Sequence, residues 1–335
     1  MPINAEVEIY KKNRINELIA KYNSNKNSYL LSYNAAYSGI VNSRDSSIVK
    51  NSKIISLNNM YTNIISQLNL LYNSNVAKIN SFKVNKIQAT NKKALLIGIN
   101  NYAGKNKLAG CINDVNNIQD KLLTMGYNKN NIKTVLNENA TGKNIISSLT
   151  NLLVNSVSGD LLFFSYSGHG SYELDKSGDE KTTNCDQDIV SVDLQIISDD
   201  VLKNIIKTNL KPGVTLFALF DSCYSGSILD LRYQYMDSLN GENYSENMKE
   251  DETDGDVIMI SGCNDMQTSA DAIINNVDRG ATTWAFLKSI TDVSNKLTWR
   301  QLITSMRSNL KSGGFSQIPQ ISSGNIMELD AQVFI

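Results

Sequence analysis

The chain has 335 residues, enough to bury a substantial core, and its 32 Lys+Arg against 33 Asp+Glu leave a formal charge of −1. That balance offers no basic surplus to neutralise a phosphate backbone, so no nucleic-acid partner is expected. No apolar run nears the roughly 18 residues a membrane-spanning helix requires, and Met1–Lys12 lacks an apolar signal-peptide core, so no membrane partner is expected either.

Residues 1–90 are rich in Asn, Ser, Tyr and Lys and poor in glycine. Ile15, Leu18, Ile19 and Tyr22 recur at helical spacing, and so do Leu57, Tyr61, Ile64, Leu68 and Leu71. The spacing predicts a helical N-terminal extension of two or more amphipathic helices, a candidate regulatory prodomain. The main domain begins at residue 91. Ala94–Ile99 reads as a buried strand, and a helix follows from about Ile112 to Met125 with Val115, Ile118 and Leu122 inward and Gly126 ending it. A strand over Ile132–Leu136 precedes a helix whose Ile145, Ile146, Leu149, Leu152 and Leu153 share a face. Two short, continuous apolar runs come next, Leu161–Phe164 and Val214–Phe220, separated by an acidic connection and a helix near Asp199–Lys207. Such runs read as strands buried on both faces of a parallel sheet. A polar, exposed loop over Asp237–Asp256, a strand at Val257–Ile260 and helices near Ala281–Ile290 and after Thr298 complete the pattern. Thr298 with Gln301 is a capping-box signature. Strand–helix alternation specifies an α/β fold with a mostly parallel sheet covered by helices on both faces.

The first of the two runs leads into Ser167-Gly168-His169-Gly170, which holds the chain's one histidine; the second ends in Asp221-Ser222-Cys223-Tyr224-Ser225-Gly226. Open α/β sheets place their sites at the carboxyl ends of strands. A histidine and a cysteine at two such ends read as a base and a nucleophile, because an imidazolium neighbour lowers a thiol's pKa from about 8.5 into a reactive range. The backbone N–H groups of Gly170 and Cys223 are candidate donors to an oxyanion. The remaining cysteines (Cys111, Cys185, Cys263) are widely spaced, with no C-x-x-C pair. That spacing predicts free thiols, hence a reducing, cytoplasmic setting.

The segments KKALLIGINNY, LAGCINDV, DLLFFSYSGHG, GDE, ISDDVL, DSCYSGSILDL, GDVIMISGCNDMQTSADA, GATTWAFL and FSQIPQIS, from Lys92 to Ile321, resemble those of the metacaspases in family order. These are relatives of caspases within the caspase–hemoglobinase fold, and the short loop after the cysteine segment is similar to the type I arrangement. The resemblance implies a caspase-like peptidase domain over 91–335, with a p20-like part at 91–235, an acidic loop at 236–255 and a p10-like part at 256–335. It implies a cysteine endopeptidase cutting protein or peptide substrates after Arg or Lys, with Cys111, Asp114, Ser167 and Asp221 lining the pocket for the residue before the scissile bond. Two carboxylates there would pair with a guanidinium or ammonium group and reject acidic side chains. Self-cleavage near Lys249 or Arg232 is a further expectation, and a monomer is expected.

Residues 173–200 hold nine carboxylates (Glu173, Asp175, Asp179, Glu180, Asp186, Asp188, Asp193, Asp199, Asp200) against Lys176 and Lys181. A loop of that charge calls for a counter-ion, and calcium, which takes six to eight oxygen ligands, is the natural one, although no EF-hand spacing is present. The resemblance maps an activating calcium site onto Asp186, Asp199, Asp200 and Asp230. Tyr224 stands where the family usually has histidine, Lys181-Thr182-Thr183 follows GDE in place of an acidic-glycine pair, and Ser191 replaces a common proline. Two rival readings remain: a scaffold module that uses the fold without turnover, and a legumain-like peptidase of different specificity.

Overall fold

The computed structural model describes residues 3–81, 91–104, 106–174, 185–223, 225–235, 245–246, 253–262, 271–274, 277–292, 297–325, 327 and 329–333. Tyr224, Lys249, Cys263 and the acidic residues 175–180 lie outside these segments. The chain divides into two compact units, Met1–Lys86 and Ile87–Ile335.

The first unit is an antiparallel pair of long helices, α1 (Ile3–Val41) and α2 (Ser47–Ser81). Tyrosines key the two together: Tyr22 packs on Tyr72 and Tyr33 on Tyr61, each with ring centroids 4.8 Å apart, and the Tyr22 and Tyr33 hydroxyls donate to Asn69 and Asn58. At the bend, Lys50 donates to the Val41 carbonyl and Lys53 pairs with Asp45 at 2.7 Å. Leu57, Tyr61, Ile64 and Leu68 form the inward stripe of α2. Leu71, expected to extend it, is 54 % exposed, and Tyr72 takes its place. Helical geometry leaves both positions near the edge of the stripe, and the contact of Tyr72 with Tyr22 of α1 decides between them.

The second unit is built on an eight-stranded sheet. Its parallel part runs in the order β2 (Ile132–Leu136), β1 (Lys92–Gly98), β3 (Leu161–Ser167), β7 (Thr215–Asp221) and β10 (Asp256–Ser261). Three antiparallel strands extend the β10 edge: β13 (Gln320–Ser323), β8 (Tyr233–Gln234) and β9 (Ser245–Glu246). Every residue of β3 and β7 is buried, which is why their sequences are continuous apolar runs. The pleat sends alternate residues to opposite cores. Leu95, Ile97, Leu162, Phe164, Leu216 and Ala218 meet the apolar faces of α4 (Gly142–Val154) and α5 (Asp199–Asn209). Ala94, Leu96, Phe163, Phe217 and Leu219 meet those of α3 (Cys111–Thr124), α6 (Ala281–Asp292) and α7 (Trp299–Ser312). Gly126, at φ +88°, ends the α3 region, and the Thr298–Gln301 capping box starts α7.

The acidic connection, read from sequence as a loop, is in its described parts a three-stranded antiparallel sheet: β4 (Gly170–Leu174), β5 (Cys185–Val190) and β6 (Ile196–Ser198). Its carboxylates hide the strand signal, because Asp186 and Asp188 occupy buried positions that apolar residues usually mark. The stretch expected as an exposed loop over 237–256 contributes β9 and the buried Thr253, which the sequence did not foreshadow. A hairpin of β11 (Asp271–Ile274) and β12 (Val277–Gly280) leads directly into α6. No described helix is long and apolar enough to cross a membrane.

Phe217 sits at the centre of the core that α3, α6 and α7 close. Its ring lies 5.3 Å from Phe163 and stacks on Phe286 and Trp299, both at 5.7 Å between centroids. Phe217→Ala is expected to lower the unfolding free energy by about 3–5 kcal/mol, measured by denaturant titration of the purified protein.

Candidate active site

The site stands at the carboxyl ends of β3 and β7. Parallel register pairs Ser167 with Asp221, and the Gly168 N–H donates to the Asp221 carbonyl one step further on. His169 and Cys223 therefore each lie two residues beyond a paired position on neighbouring strands, which run about 4.8 Å apart. Both are half-buried. Gly170 lies against the Cys223 backbone: a Cβ there would meet the Cys223 carbonyl carbon at 3.0 Å and nitrogen at 3.3 Å, with the carbonyl oxygen closer still. Only glycine permits that approach.

The imidazole is gripped from several sides. Its Nε2 is 2.7 Å from the Asn106 carbonyl oxygen. A carbonyl can only accept, so Nε2 carries a proton, and in the neutral ring the lone pair is on Nδ1. The Tyr102 ring packs on the imidazole with centroids 4.5 Å apart. The His169 N–H donates to the Tyr102 hydroxyl at 2.9 Å, and its carbonyl accepts from the Tyr166 hydroxyl at 2.7 Å. The Val190 N–H donates to the same carbonyl at 3.0 Å, which makes Gly170 and Ile189 a non-hydrogen-bonded pair of the β4–β5 ladder. In such a pair the Gly170 N–H points away from β5 and is left out of the ladder.

Cys111, Asp114, Ser167 and Asp221 are all buried and belong to one neighbourhood. Cys111 opens α3, and Asp114 lies three residues on, on the same face. Ser167 Oγ donates to Asp114 Oδ2 at 2.7 Å, while the Gly280 N–H donates to both Asp114 oxygens at 3.0 and 3.1 Å. The Thr283 N–H donates to Asp221 Oδ2 at 2.7 Å. A Cβ on Gly280 would collide with both carboxylates, so the two acids face one point at the amino end of α6. That end is the positive pole of the helix and favours negative charge.

The acidic residues assigned to a metal fall on three elements. Asp186 is on β5, Asp199 and Asp200 open α5, and Asp230 follows β7 in a left-handed turn at φ +43°. Asp199 accepts from the Gln187 N–H at 2.6 Å and the Asp200 N–H at 2.8 Å, and Lys203 approaches Asp230 at 3.7 Å. Burial, with the charges of Asp230 and Asp186 added, pushes the Asp199 carboxyl up to about 8. Among the described residues no three His, Cys, Asp or Glu side chains converge closely enough to hold a metal ion. Asp193 instead braces the β5–β6 turn. It accepts from the Gly142 N–H at the start of α4 and from the Ser191 hydroxyl, whose oxygen accepts the Gln195 N–H. The serine in place of proline thus closes that turn.

Arg232 is buried and immediately precedes β8, so the bond after it is shielded while that strand is paired. Among the described residues no disulfide joins Cys111, Cys185 and Cys223 to one another. Sequence reasoning missed Tyr102, Tyr166, Asn106 and Gly280. Tyr102, Tyr166 and Gly280 lie inside the motifs quoted above, but what they touch depends on register and loop path that motif matching does not supply.

A mostly parallel sheet whose neighbouring strand tips carry a histidine and a cysteine is the architecture of caspase-like peptidases. Residues 91–329 match the family model described as Caspase domain. The chain is 34 % identical over 293 residues to Metacaspase-1 of Meyerozyma guilliermondii, covering 71 % of each chain. It is 34 % identical over 291 residues to Metacaspase-1 of Mycosarcoma maydis, covering 71 % of this chain and 72 % of that one. The crystal structure of a Geobacter sulfurreducens protein superposes with a TM-score of 0.55 at 22 % identity, covering 73 % of this chain and all of the other, a likeness of fold. The chain belongs to the metacaspases, and is a cysteine endopeptidase of the caspase-domain family.

The raised Asp199 carboxyl fixes a pH dependence. An unfolded Asp titrates near 3.9, so between about 4 and about 8 the folded protein retains a proton that the unfolded chain has released, and stability falls as pH rises. Without added metal, Asp199→Asn is expected to gain stability over the parent as pH is raised from 5 to 8, read from thermal unfolding at each pH. A difference independent of pH contradicts this assignment.

Proposed function

We propose that the chain is a calcium-stimulated endopeptidase that cleaves after Arg or Lys through a Cys223–His169 dyad. The observation that carries this reading is the β3–β7 register, which sets the two residues at matching places beyond adjacent strand ends. With Nε2 committed to Asn106, Nδ1 is the atom that takes the Cys223 proton. The thiolate attacks the scissile carbonyl, and the Gly170 and Cys223 N–H groups receive the developing oxyanion. The imidazolium then gives its proton to the leaving amine; the acyl-enzyme is hydrolysed by a water that the same nitrogen deprotonates. Cys223→Ala is expected to abolish cleavage of a basic-residue peptide library in the presence of calcium; full activity in that variant ends the proposal.

The specificity rests on Asp114 and Asp221, two carboxylates turned to one point beside Gly280. A guanidinium or ammonium entering there would find two acceptors, and an acidic side chain would find repulsion. Asp221→Asn is expected to lower kcat/KM for arginyl peptides about 100-fold while leaving intrinsic Cys223 alkylation within a few-fold. Equal rates for arginyl and asparaginyl substrates in the parent enzyme would favour the legumain-like reading.

Asp186, Asp199, Asp200 and Asp230 would hold the calcium. The donor set is all carboxylate, the hard oxygen chemistry calcium selects, and the burial of Asp199 together with the charges of Asp230 and Asp186 is the cost a cation would relieve. When bound, the ion supplies two positive charges to a cluster that otherwise has Lys203 near Asp230. Binding requires these carboxylates to turn toward one another, which links the metal to the segment between His169 and Cys223. Self-cleavage is assigned to the Lys249 region in preference to Arg232, whose burial protects the following bond.

A further inference from the structure

The two buried tyrosines beside the histidine turn are not accounted for by the dyad, the specificity pocket or the acidic cluster. Tyr102 comes from the loop after β1 and Tyr166 from β3, and their hydroxyl oxygens are 3.1 Å apart. Tyr102 is 1 % and Tyr166 0 % exposed, so neither is available to contact substrate. Two hydroxyl protons serve two carbonyls: Tyr102 donates to Val190 at 2.9 Å, and Tyr166 to His169 at 2.7 Å with Val190 at 2.8 Å as an alternative. Tyr102 in turn accepts the His169 N–H. Gly168 is held so close that a Cβ would meet both hydroxyl oxygens at 2.6 Å. Burial pushes both phenols up, so the protons stay in place through the neutral range. Tyr102 holds His169 twice, by its backbone N–H and by a tilted contact between the two rings.

We propose that Tyr102 is a positioning residue for the reaction: its hydroxyl fixes the backbone of His169 and its ring fixes the imidazole plane, so that Nδ1 is aimed at Cys223 while Nε2 stays on Asn106. The inference rests on the Cys223–His169 reading. A misplacement of about 1 Å at a reacting centre can cost on the order of 100-fold in rate, so a grip on the base is worth a measurable share of kcat. Loss of the hydroxyl alone frees the backbone and keeps the ring; loss of the ring frees both.

The test compares Tyr102→Phe and Tyr102→Leu with the parent in the full-length protein, by steady-state kinetics on a basic peptide substrate with calcium. Iodoacetamide alkylation of Cys223, resolved from the other thiols by peptide mass mapping, gives a readout independent of substrate. Tyr102→Phe is expected to lower kcat about 10-fold with KM changed less than two-fold and Cys223 alkylation slowed in step; Tyr102→Leu is expected to lose a further 10-fold. Tyr166→Phe, which leaves the Tyr102 ring on the imidazole, gives an independent check should Tyr102 variants unfold, with a smaller loss confined to kcat. Parent-like kcat and alkylation in a folded Tyr102→Phe or Tyr166→Phe protein, or a loss that falls on KM alone, overturns the inference. His169→Ala separates the two levels. If it leaves Cys223 alkylation and kcat intact the dyad itself is wrong, whereas if it lowers both and the tyrosine variants do not, only the positioning role is lost.

Discussion

The lateral register of β3 on β7 is the constraint from which the site follows. Parallel pairing of Ser167 with Asp221 is set by two runs of seven residues, each buried along its whole length. A slip of one residue would turn every inward side chain to the opposite core and separate the two strand tips. Phe163 and Phe217 on one face, with Phe164 and Phe220 on the other, lock the alignment: the first pair lies 5.3 Å apart and the second meets edge to face at 5.6 Å. Core packing and catalytic geometry are thus one problem in this chain. The same contacts that stabilise the sheet bring the histidine turn and the cysteine turn side by side.

Each side of the site is then finished by a different backbone device. Gly170 lets the His169 segment close on Cys223, and the β4–β5 ladder leaves the Gly170 N–H facing away from its partner strand. Gly280 lets Asp114 and Asp221 approach the start of α6, where backbone N–H groups bind them. In the acidic group between β5 and α5, backbone N–H groups of Gln187 and Asp200 bind Asp199, while burial, with the charges of Asp230 and Asp186 added, raises its carboxyl.

Much of this was legible in the residues. The strands β1, β3, β7 and β10 stand out as short apolar runs, and α3, α4, α5 and α7 by their periodicity, because in each case burial acts on nearby sequence. The lone histidine and Cys223 are conspicuous because each follows such a run. The β4–β5–β6 sheet was illegible because Asp186, Gln187 and Asp188 fill its buried positions, and polar burial depends on partners distant in sequence. Tyr102, Asn106 and Gly280 escaped for the same reason: each matters through a hydrogen bond or close approach to another segment, and no local pattern encodes that. The stripe on α2 was read one residue short because Leu71 and Tyr72 are both apolar enough to qualify, and only the partner helix chooses between them.

The central claim is that His169 and Cys223 meet across one cleft that accepts a basic side chain. It is tested most directly by treating the calcium-supplemented protein with a peptide electrophile ending in arginine and mapping the adduct by mass spectrometry. Stoichiometric modification at Cys223, blocked by excess arginyl substrate and lost in His169→Ala, is the predicted result. Modification spread over Cys111 and Cys185, or a Cys223 adduct that forms equally well without His169, would contradict it.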